Sequence, residues 1–516
     1  MLNLALVAPI AILGAALLAS ATGALPRPAK VAIEGLAIAA ILAAIIGFAQ
    51  VAISGPVTVA WAKFGPVVAA LRLDIVSTTL MMLIAFVGWV VVRYSCTYLD
   101  REPGEARFMR WLCLTLAFVM LLVTAGTLVQ LVIAWIATSL SLHRLLLFYP
   151  GRPGARRAAT KKFVTARLGD IALVGAAALL AHHYQTGDIA TLLAAARAGD
   201  SGPATSIAAG LIALAAMLKS AQFPLHGWLI EVMEAPTPVS ALLHAGVINA
   251  GGFLLIRFAD VIVLAPGVLA ALVIVGGLTA LFGGLAMLTQ PAVKTSLAWS
   301  TIAQMGFMLM QCGFALFPLA LLHIVAHSLY KAHSFLASGG AVERIAAARR
   351  PGPVAVPNVR AVGIAFVAAL AIYATLALVL NVDHKSPQAL ALGAILIFGV
   401  AYLLAQGLAD AAPRALTLRM AAYALAASIS YFALHSLALA LTAGTLPPTP
   451  PPGTLGWVLI IVALLSFGLV AFAQALFPLW VDHPAVAGMR VHLANGLYAN
   501  ALFDRATRGW TVRKVN

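Results

Sequence analysis

The stretch Lys219-Ser-Ala-Gln-Phe-Pro224-Leu-His-Gly-Trp228 stands between two apolar runs, and its reading decides the fold. Positions 204 to 223 are apolar around a single cation, the composition of a membrane span. A lysine near a bilayer centre costs about 2.5 to 3.5 kcal/mol on insertion scales, so such a residue lines a wet path or meets a partner. Pro224 comes five residues later. Its ring and missing N–H break the helix and free carbonyls at membrane depth, and interrupted helices of that kind are where transporters place ion sites. The plainer alternative is a lysine snorkelling from a helix end.

Downstream runs Glu231-Val-Met-Glu234-Ala-Pro236-Thr-Pro238-Val-Ser240-Ala-Leu-Leu-His244. Two carboxylates, two more prolines and a histidine about two turns into the next span make a polar hinge inside an apolar pair. Glu234, preceding Ala-Pro, belongs to the turn. His244 faces the bundle, either as a relay or as a neutral histidine satisfied by a carbonyl. Further on, His323, His327 and Lys331 recur at i, i+4 and i+8, which puts them on one stripe of a helix; His333 lies off that stripe. Imidazoles one turn apart can pass a proton along ordered water, and a desolvated lysine can be tuned to join them. Zinc is a weak competing reading of His-x3-His, because no Cys or carboxylate shares the stretch. Lys294 begins the preceding span, as an inside anchor or as a member of the same polar axis.

The whole chain has the same character. Of 516 residues, 63% are hydrophobic and 9% charged, and the mean hydropathy is +1.02. Soluble domains carry roughly a quarter charged residues, so this surface faces lipid, and the length leaves no room for a large extramembrane catalytic domain. Apolar runs predict an all-α polytopic protein with about fifteen spans, at 2–22, 31–54, 73–95, 107–126, 128–148, 163–184, 204–223, 237–258, 263–289, 294–314, 316–341, 360–381, 388–409, 417–442 and 455–480. The net charge of +16 would suggest nucleic acid in a soluble protein. Here the cations alternate between loops instead, which excludes a nucleic-acid partner. One side collects Arg27, Lys30, Arg93, Arg101, Arg107, Arg110, Arg144, the basic run Arg152 to Lys162, Arg167, Lys294, Arg344, Arg349, Arg350, Arg360, Arg414, Arg419, Arg490, Arg505, Arg508, Arg513 and Lys514; the other has Lys63, Arg72, Arg197, Arg257 and Lys385. The positive-inside rule then places the N-terminus outside and the C-terminus in the cytoplasm. The first segment lacks a basic n-region and reads as a retained helix rather than a cleaved signal. Cys96, Cys113 and Cys312 stand apart, as core residues. Pro447 to Pro452, interrupted only by Thr449, is a stiff outside connector, and the tail 481–516 is an amphipathic helix on the inner leaflet or a solvated tail.

The two quoted stretches resemble the antiporter-like subunits of respiratory complex I and Mrp cation antiporters. Val293-Lys-Thr-Ser-Leu-Ala-Trp-Ser-Thr-Ile-Ala-Gln-Met-Gly306 and His323-Ile-Val-Ala-His-Ser-Leu-Tyr-Lys-Ala-His333 extend the likeness, with Leu71-Arg-Leu-Asp74 and Arg167-Leu-Gly-Asp170, over roughly residues 71 to 345. The resemblance implies inverted five-helix repeats with a broken helix near Lys219–Pro224, and hence helices 1–3 in 1–106, a first repeat in 107–258, a diverged second repeat in 259–409 and C-terminal helices in 410–480. It implies an ion pathway through Lys219, Asp170, Glu231, Glu234, His244, Lys294, His323, His327, Lys331 and His333. The chain departs from the family where Ile136 follows Trp135 in place of a glutamate, and where span 360–381 holds no charge beyond Arg360. Asp170 is the nearest replacement counter-charge for Lys219.

Those departures, with Ser141-Leu-His-Arg-Leu-Leu-Leu-Phe-Tyr-Pro150 and Leu242-Leu-His-Ala-Gly-Val-Ile-Asn-Ala-Gly-Gly-Phe253, resemble the DabB branch, membrane subunits of bacterial inorganic carbon pumps. That resemblance implies a subunit of the bacterial inner membrane, not itself an enzyme. It would conduct H+ or Na+ and couple cation influx to hydration of CO2 to bicarbonate by a DabA-like cytoplasmic zinc protein. Zinc is then the partner's, and no cofactor belongs to this chain. A complex I or Mrp-type antiporter subunit and a non-conducting scaffold are the alternatives.

Overall fold

A computed structural model describes residues 4–19, 23–65, 67–340, 357–379, 385–408, 413–480 and 482–507. Charges assigned at the sequence level to Arg344, Arg349, Arg350, Arg508, Arg513 and Lys514 lie outside the described residues. In chain order the helices are α1 (Val7–Leu18), α2 (Arg27–Ser54), α3 (Ile75–Tyr98), α4 (Glu105–Val123), α5 (Leu128–Leu146), α6 (Pro153–Tyr184), α7 (Ile189–Arg197), α8 (Pro203–Lys219), α9 (Gly227–Glu231), α10 (Thr237–Ala245), α11 (Ala250–Arg257), α12 (Ala259–Ile262), α13 (Pro266–Leu288), α14 (Val293–Gly313), α15 (Phe317–Leu336), α16 (Val359–Val379), α17 (Pro387–Gly407), α18 (Arg414–Thr442), α19 (Thr454–Ala475), α20 (Phe477–Trp480), α21 (Pro484–Ala494) and α22 (Ala499–Thr507).

Every predicted span falls on a helix. Among the described residues, ten helices are long and apolar enough to cross a membrane by length and composition, counting Thr237–Arg257 as one. Val7–Leu18, Pro203–Lys219 and Pro387–Tyr402 are shorter apolar helices, and α14 and α15 carry the polar stripes. Prolines in the first turn start α2, α6, α8, α13 and α15, where the missing N–H has no partner to lose. One boundary is corrected by this rule: α6 begins at Pro153 rather than at 163, so most of the basic run Arg152 to Lys162 is helix and not loop. Span 237–258 is likewise interrupted, at Gly246 and the 3-10 turn Val247–Asn249.

Contacts sort the connections into two ends. At one, Lys30 pairs with Asp100 at 2.7 Å and with buried Glu105 at 2.5 Å, and Arg93 pairs with Glu34; the Lys30 ammonium holds the Asp100 carboxyl below its ordinary value. This end gathers the start of α2, the α3–α4 loop, the start of α6, α9 and the tail helices. At the other, residues 57–73, outside every predicted span but for Leu73, form an antiparallel hairpin of β1 (Val57–Phe64) and β2 (Val67–Leu73). Here Gly126 N donates to Ala70 O at 2.7 Å, Arg197 makes a two-pronged pair with Asp260, and Thr449 donates to Ala315 O. Asp74 caps α3 and is clasped by Arg257 and Arg72. Among the described residues these contacts gather Lys30, Arg93, Asp100 and Glu105 at one end and the hairpin, Arg197 and Asp260 at the other.

Between the ends lies one large apolar core shared by α1–α15, with smaller ones where α16–α18 meet and where α17 and α19 meet α13–α15. Backbones approach closely at the α13–α14 crossing, where a Cβ on Gly276 would lie 2.6 Å from Gly306 O and Met310 N. Only glycine fits there.

Candidate functional site

Lys219 is the last residue of α8. Seventeen residues of helix, at about 1.5 Å each, carry it roughly 25 Å from the hairpin end. The chain then leaves the helix through Ser220–His226, with a cis Phe223–Pro224 bond and Ala221 at φ +50°. The freed polar groups are tied down locally: Ser220 Oγ donates to Ile248 O, Gln222 Nε2 to Ser220 O and Phe223 N to Thr279 Oγ1. The break at Pro224 is therefore built into the bundle.

The Lys219 ammonium sits 4.3 Å from the centroid of the Trp135 ring and has no hydrogen-bond partner among the described residues. Trp135 Nε1 donates to Asp170 Oδ1 at 2.9 Å, and Arg167 Nη2 lies 2.7 Å from Asp170 Oδ2. Asp170 is a charge near Lys219, as expected, but among the described residues the two make no direct ion pair. Both meet the Trp135 indole, the carboxylate at its N–H and the ammonium on its face. Beside them lies a cation that the sequence reading placed in a loop. Lys162 is buried and donates to Ser139 O and Oγ at 2.7 and 2.9 Å. Lys162 and Lys219 line a cavity of about 20 Å³, with Leu243, Val247 and Trp228 on its other walls. That is room for one water.

Leu243, on the wall of this cavity, precedes His244 of the central group in the chain. His244 Nδ1 lies 3.0 Å from Thr301 Oγ1, which donates to Leu297 O; Lys331 Nζ donates to the same carbonyl at 3.2 Å. His327 Nε2 donates to His244 O at 3.2 Å, the His323 and His327 rings are 6.0 Å apart, and His323 Nδ1 lies 2.9 Å from Gln311 Oε1. The predicted stripe therefore holds together as a file of Gln311, His323, His327, His244 and Lys331. Lys294 is half-buried and donates to Thr237 at the start of α10. His333 does not join, since its side chain is exposed, and exposed Glu234 lies in the turn before α10.

Glu231 lies at the basic-loop end of this assembly. It pairs with Lys161 and with Arg157. His226, just before it, is fully buried among Phe223, Phe282 and Trp299 with neither ring nitrogen partnered among the described residues. Sequence reasoning missed Lys161, Lys162, Thr301, Gln311 and His226. Pro153, as a helix start, was the available signal for the two lysines. Lys385, taken as an outer-loop cation, instead has its ammonium 4.4 Å from the centroid of the Phe432 ring. Among the described residues no three His, Cys, Asp or Glu side chains converge to hold a metal ion.

The arrangement has known relatives. The profile of the family described as "NADH:quinone oxidoreductase/Mrp antiporter, TM" matches residues 125–350, and that of "NADH-Ubiquinone oxidoreductase (complex I), chain 5 N-terminus" matches 61–109. A protein of Halothiobacillus neapolitanus named "Probable inorganic carbon transporter subunit DabB2" is 39% identical over 86% of this chain and 81% of its own length. "Probable inorganic carbon transporter subunit DabB" of Hydrogenovibrio crunogenus is 49% identical over 52% of each chain. Among solved structures, that of the Mrp complex from Dietzia sp. DQ12-45-1b covers 98% of this chain and 59% of its matched chain, with TM-score 0.68 and 24% identity. Respiratory complex I from Thermus thermophilus gives TM-score 0.57 and 19% identity over 95% of this chain and 99% of its own. Those two likenesses describe the fold. By sequence, the chain belongs to the DabB family of inorganic carbon transporter subunits, within the antiporter-like membrane proteins of complex I and Mrp.

Proposed function

We propose that this chain is the cation-conducting membrane subunit of an inorganic carbon pump. It would pass H+ or Na+ inward and couple that influx to CO2 hydration by a DabA-like cytoplasmic zinc protein. One observation carries the reading: two neighbouring groups of titratable side chains, most of them buried, lie inside an otherwise apolar bundle. Lys219 rests on Trp135, with Asp170 on the indole N–H, and a water-sized cavity beside Lys219 is walled by Leu243, the residue before His244; His327 donates to His244 O and stands beside His323. Structural packing alone gives no reason to bury this many titratable side chains, since each is costly in lipid. In this reading 107–258 and 259–409 are the two five-helix repeats, and the conducting groups belong to the first repeat and the centre. Catalysis and zinc belong to the partner, in the cytoplasm of a bacterial cell.

The test is flux. Vesicles holding the full chain and a trapped pH dye should collapse an imposed proton gradient, while Lys219→Ala and His327→Ala should lose that flux. Na+ as the carrier would show as cation uptake that persists with an uncoupler present. Wild-type flux in both variants would overturn the pathway. For the carbon role, co-expression with a zinc-containing soluble partner should rescue growth at low CO2, and rescue by the partner alone would remove this chain from the function.

A further inference from the structure

The C-terminal segment returns to the broken helix. Gln290 Nε2 donates to Ala494 O at the end of α21. The chain then turns at Gly496, φ +60°, where a Cβ would lie 3.2 Å from the Trp299 ring and 3.5 Å from His226 Nε2. One turn later α22 enters the Glu231 cluster. Asn500 Nδ2 donates to Glu231 Oε1 at 2.7 Å, Lys161 Nζ donates to Asn500 Oδ1 at 3.0 Å, and Asp504 pairs with Lys161 at 2.5 Å. Lys161 is only 3% exposed under this cover. With Arg157 on Glu231, two cations meet two carboxylates, and one of those carboxylates comes from the tail. Gly227 is shaped for the same contact, because a Cβ there would lie 2.1 Å from Asn500 Oδ1. Beneath the cover lies His226, fully buried with both ring nitrogens unpartnered among the described residues, one turn of chain from Glu231 and on the continuation of the Lys219 break. Such a ring ordinarily finds water or a partner.

We propose that the segment Gly496–Asp504 is a latch that closes the basic-loop mouth of the ion path, holding water away from His226 through Asn500 and Asp504 until it lifts. This rests on the conduction reading for its consequence but not for its existence. Leu497 and Leu502 of the segment are exposed, whereas Asn500 and Asp504 reach the cluster, so polar contacts make part of its hold on the bundle. Lifting it strips Lys161 of Asp504 and leaves Glu231 to Lys161 and Arg157, opening the aromatic cage to solvent.

Two variants weaken the latch by different means. Gly227→Ala wedges a methyl against Asn500, and Asp504→Lys sets like charges against Lys161. Each should conduct severalfold faster than wild type in vesicles holding the full chain. The pair Gly227→Cys with Asn500→Cys should do the reverse, with flux falling on oxidation and returning on reduction. A readout independent of conduction is labelling of His226→Cys by a water-soluble maleimide, slow with the native tail and faster when Asp504→Lys is added. Faster labelling and a forming disulfide with no flux in any variant would support the latch and sink the conduction reading. Lys219-dependent flux that ignores the disulfide and both weakening variants, with labelling unchanged by Asp504→Lys, would overturn the latch.

Discussion

Lys219 has an unusual counterpart in Trp135. A desolvated ammonium over an indole gains about 2 kcal/mol, and an indole whose N–H is held by a carboxylate is polarised toward a more negative face. Asp170 thus acts on Lys219 through the ring while its second oxygen serves Arg167. The ranking of substitutions follows from that geometry. Trp135→Leu removes the face and should stop flux as fully as Lys219→Ala. Trp135→Phe keeps a face but loses the link to Asp170, and Asp170→Asn keeps an acceptor but loses its charge, so both should slow flux without ending it. Proton flux in vesicles separates these cases: a Trp135→Leu variant as fast as wild type would remove the ring from the path. The relation was half legible in the sequence. Asp170 and Lys219 could be named as partners from their types, but an aromatic face offers no charge to count, so the ring that both meet went unread.

Helices are where the sequence speaks most clearly, and where it also misleads. Pro224 announced the break and the i, i+4, i+8 spacing announced the stripe on α15, because proline geometry and helical period act locally. Lys161 and Lys162 were lost because a hydropathy run stops at charge although a helix does not. Thr301 and Gln311 were lost because one hydroxyl or amide on an apolar helix has no period. α13 and α14 are held at close range by their glycine crossing. Gly276→Leu would push side-chain atoms into the backbone of α14, and overpacking a core costs about 1–3 kcal/mol even where side chains can yield. Because α14 carries Thr301 against His244, that strain reaches the file. Gly276→Leu should lower both the yield of folded protein and its unfolding temperature, whereas Gly284→Leu, with no atom within 4 Å of a Cβ, should leave them nearly unchanged. Equal behaviour of the two in thermal unfolding would refute the crossing as the close-packed element.

At the scale of the whole molecule, two ends differ in charge, and among the described residues the basic one carries the hinge, the Glu231 cluster and the tail helices. Lysine and arginine counts set orientation because cationic loops are retained on the cytoplasmic side, so the end holding Lys30, Arg93 and the start of α6 should face the cytoplasm and the hairpin should face out. The structure changes where that is best tested. The Pro447 to Pro452 connector is packed, with Thr449 donating to Ala315 O and Pro450 O accepting from Gln388, and the adjoining Gly444 and Thr445 carbonyls accept from Arg197. An insertion there would pull on those contacts. Gly65, at the hairpin turn with φ +58° and open space around it, tolerates an insertion without disturbing the bundle. A reporter active only outside the membrane should therefore work at Gly65 and fail when fused after Asn516, and a reporter active only in the cytoplasm should do the opposite. If instead Gly65 proves cytoplasmic, the latch closes an outer mouth, cation influx would enter beneath the tail, and coupling to a cytoplasmic partner would have to pass through the hairpin.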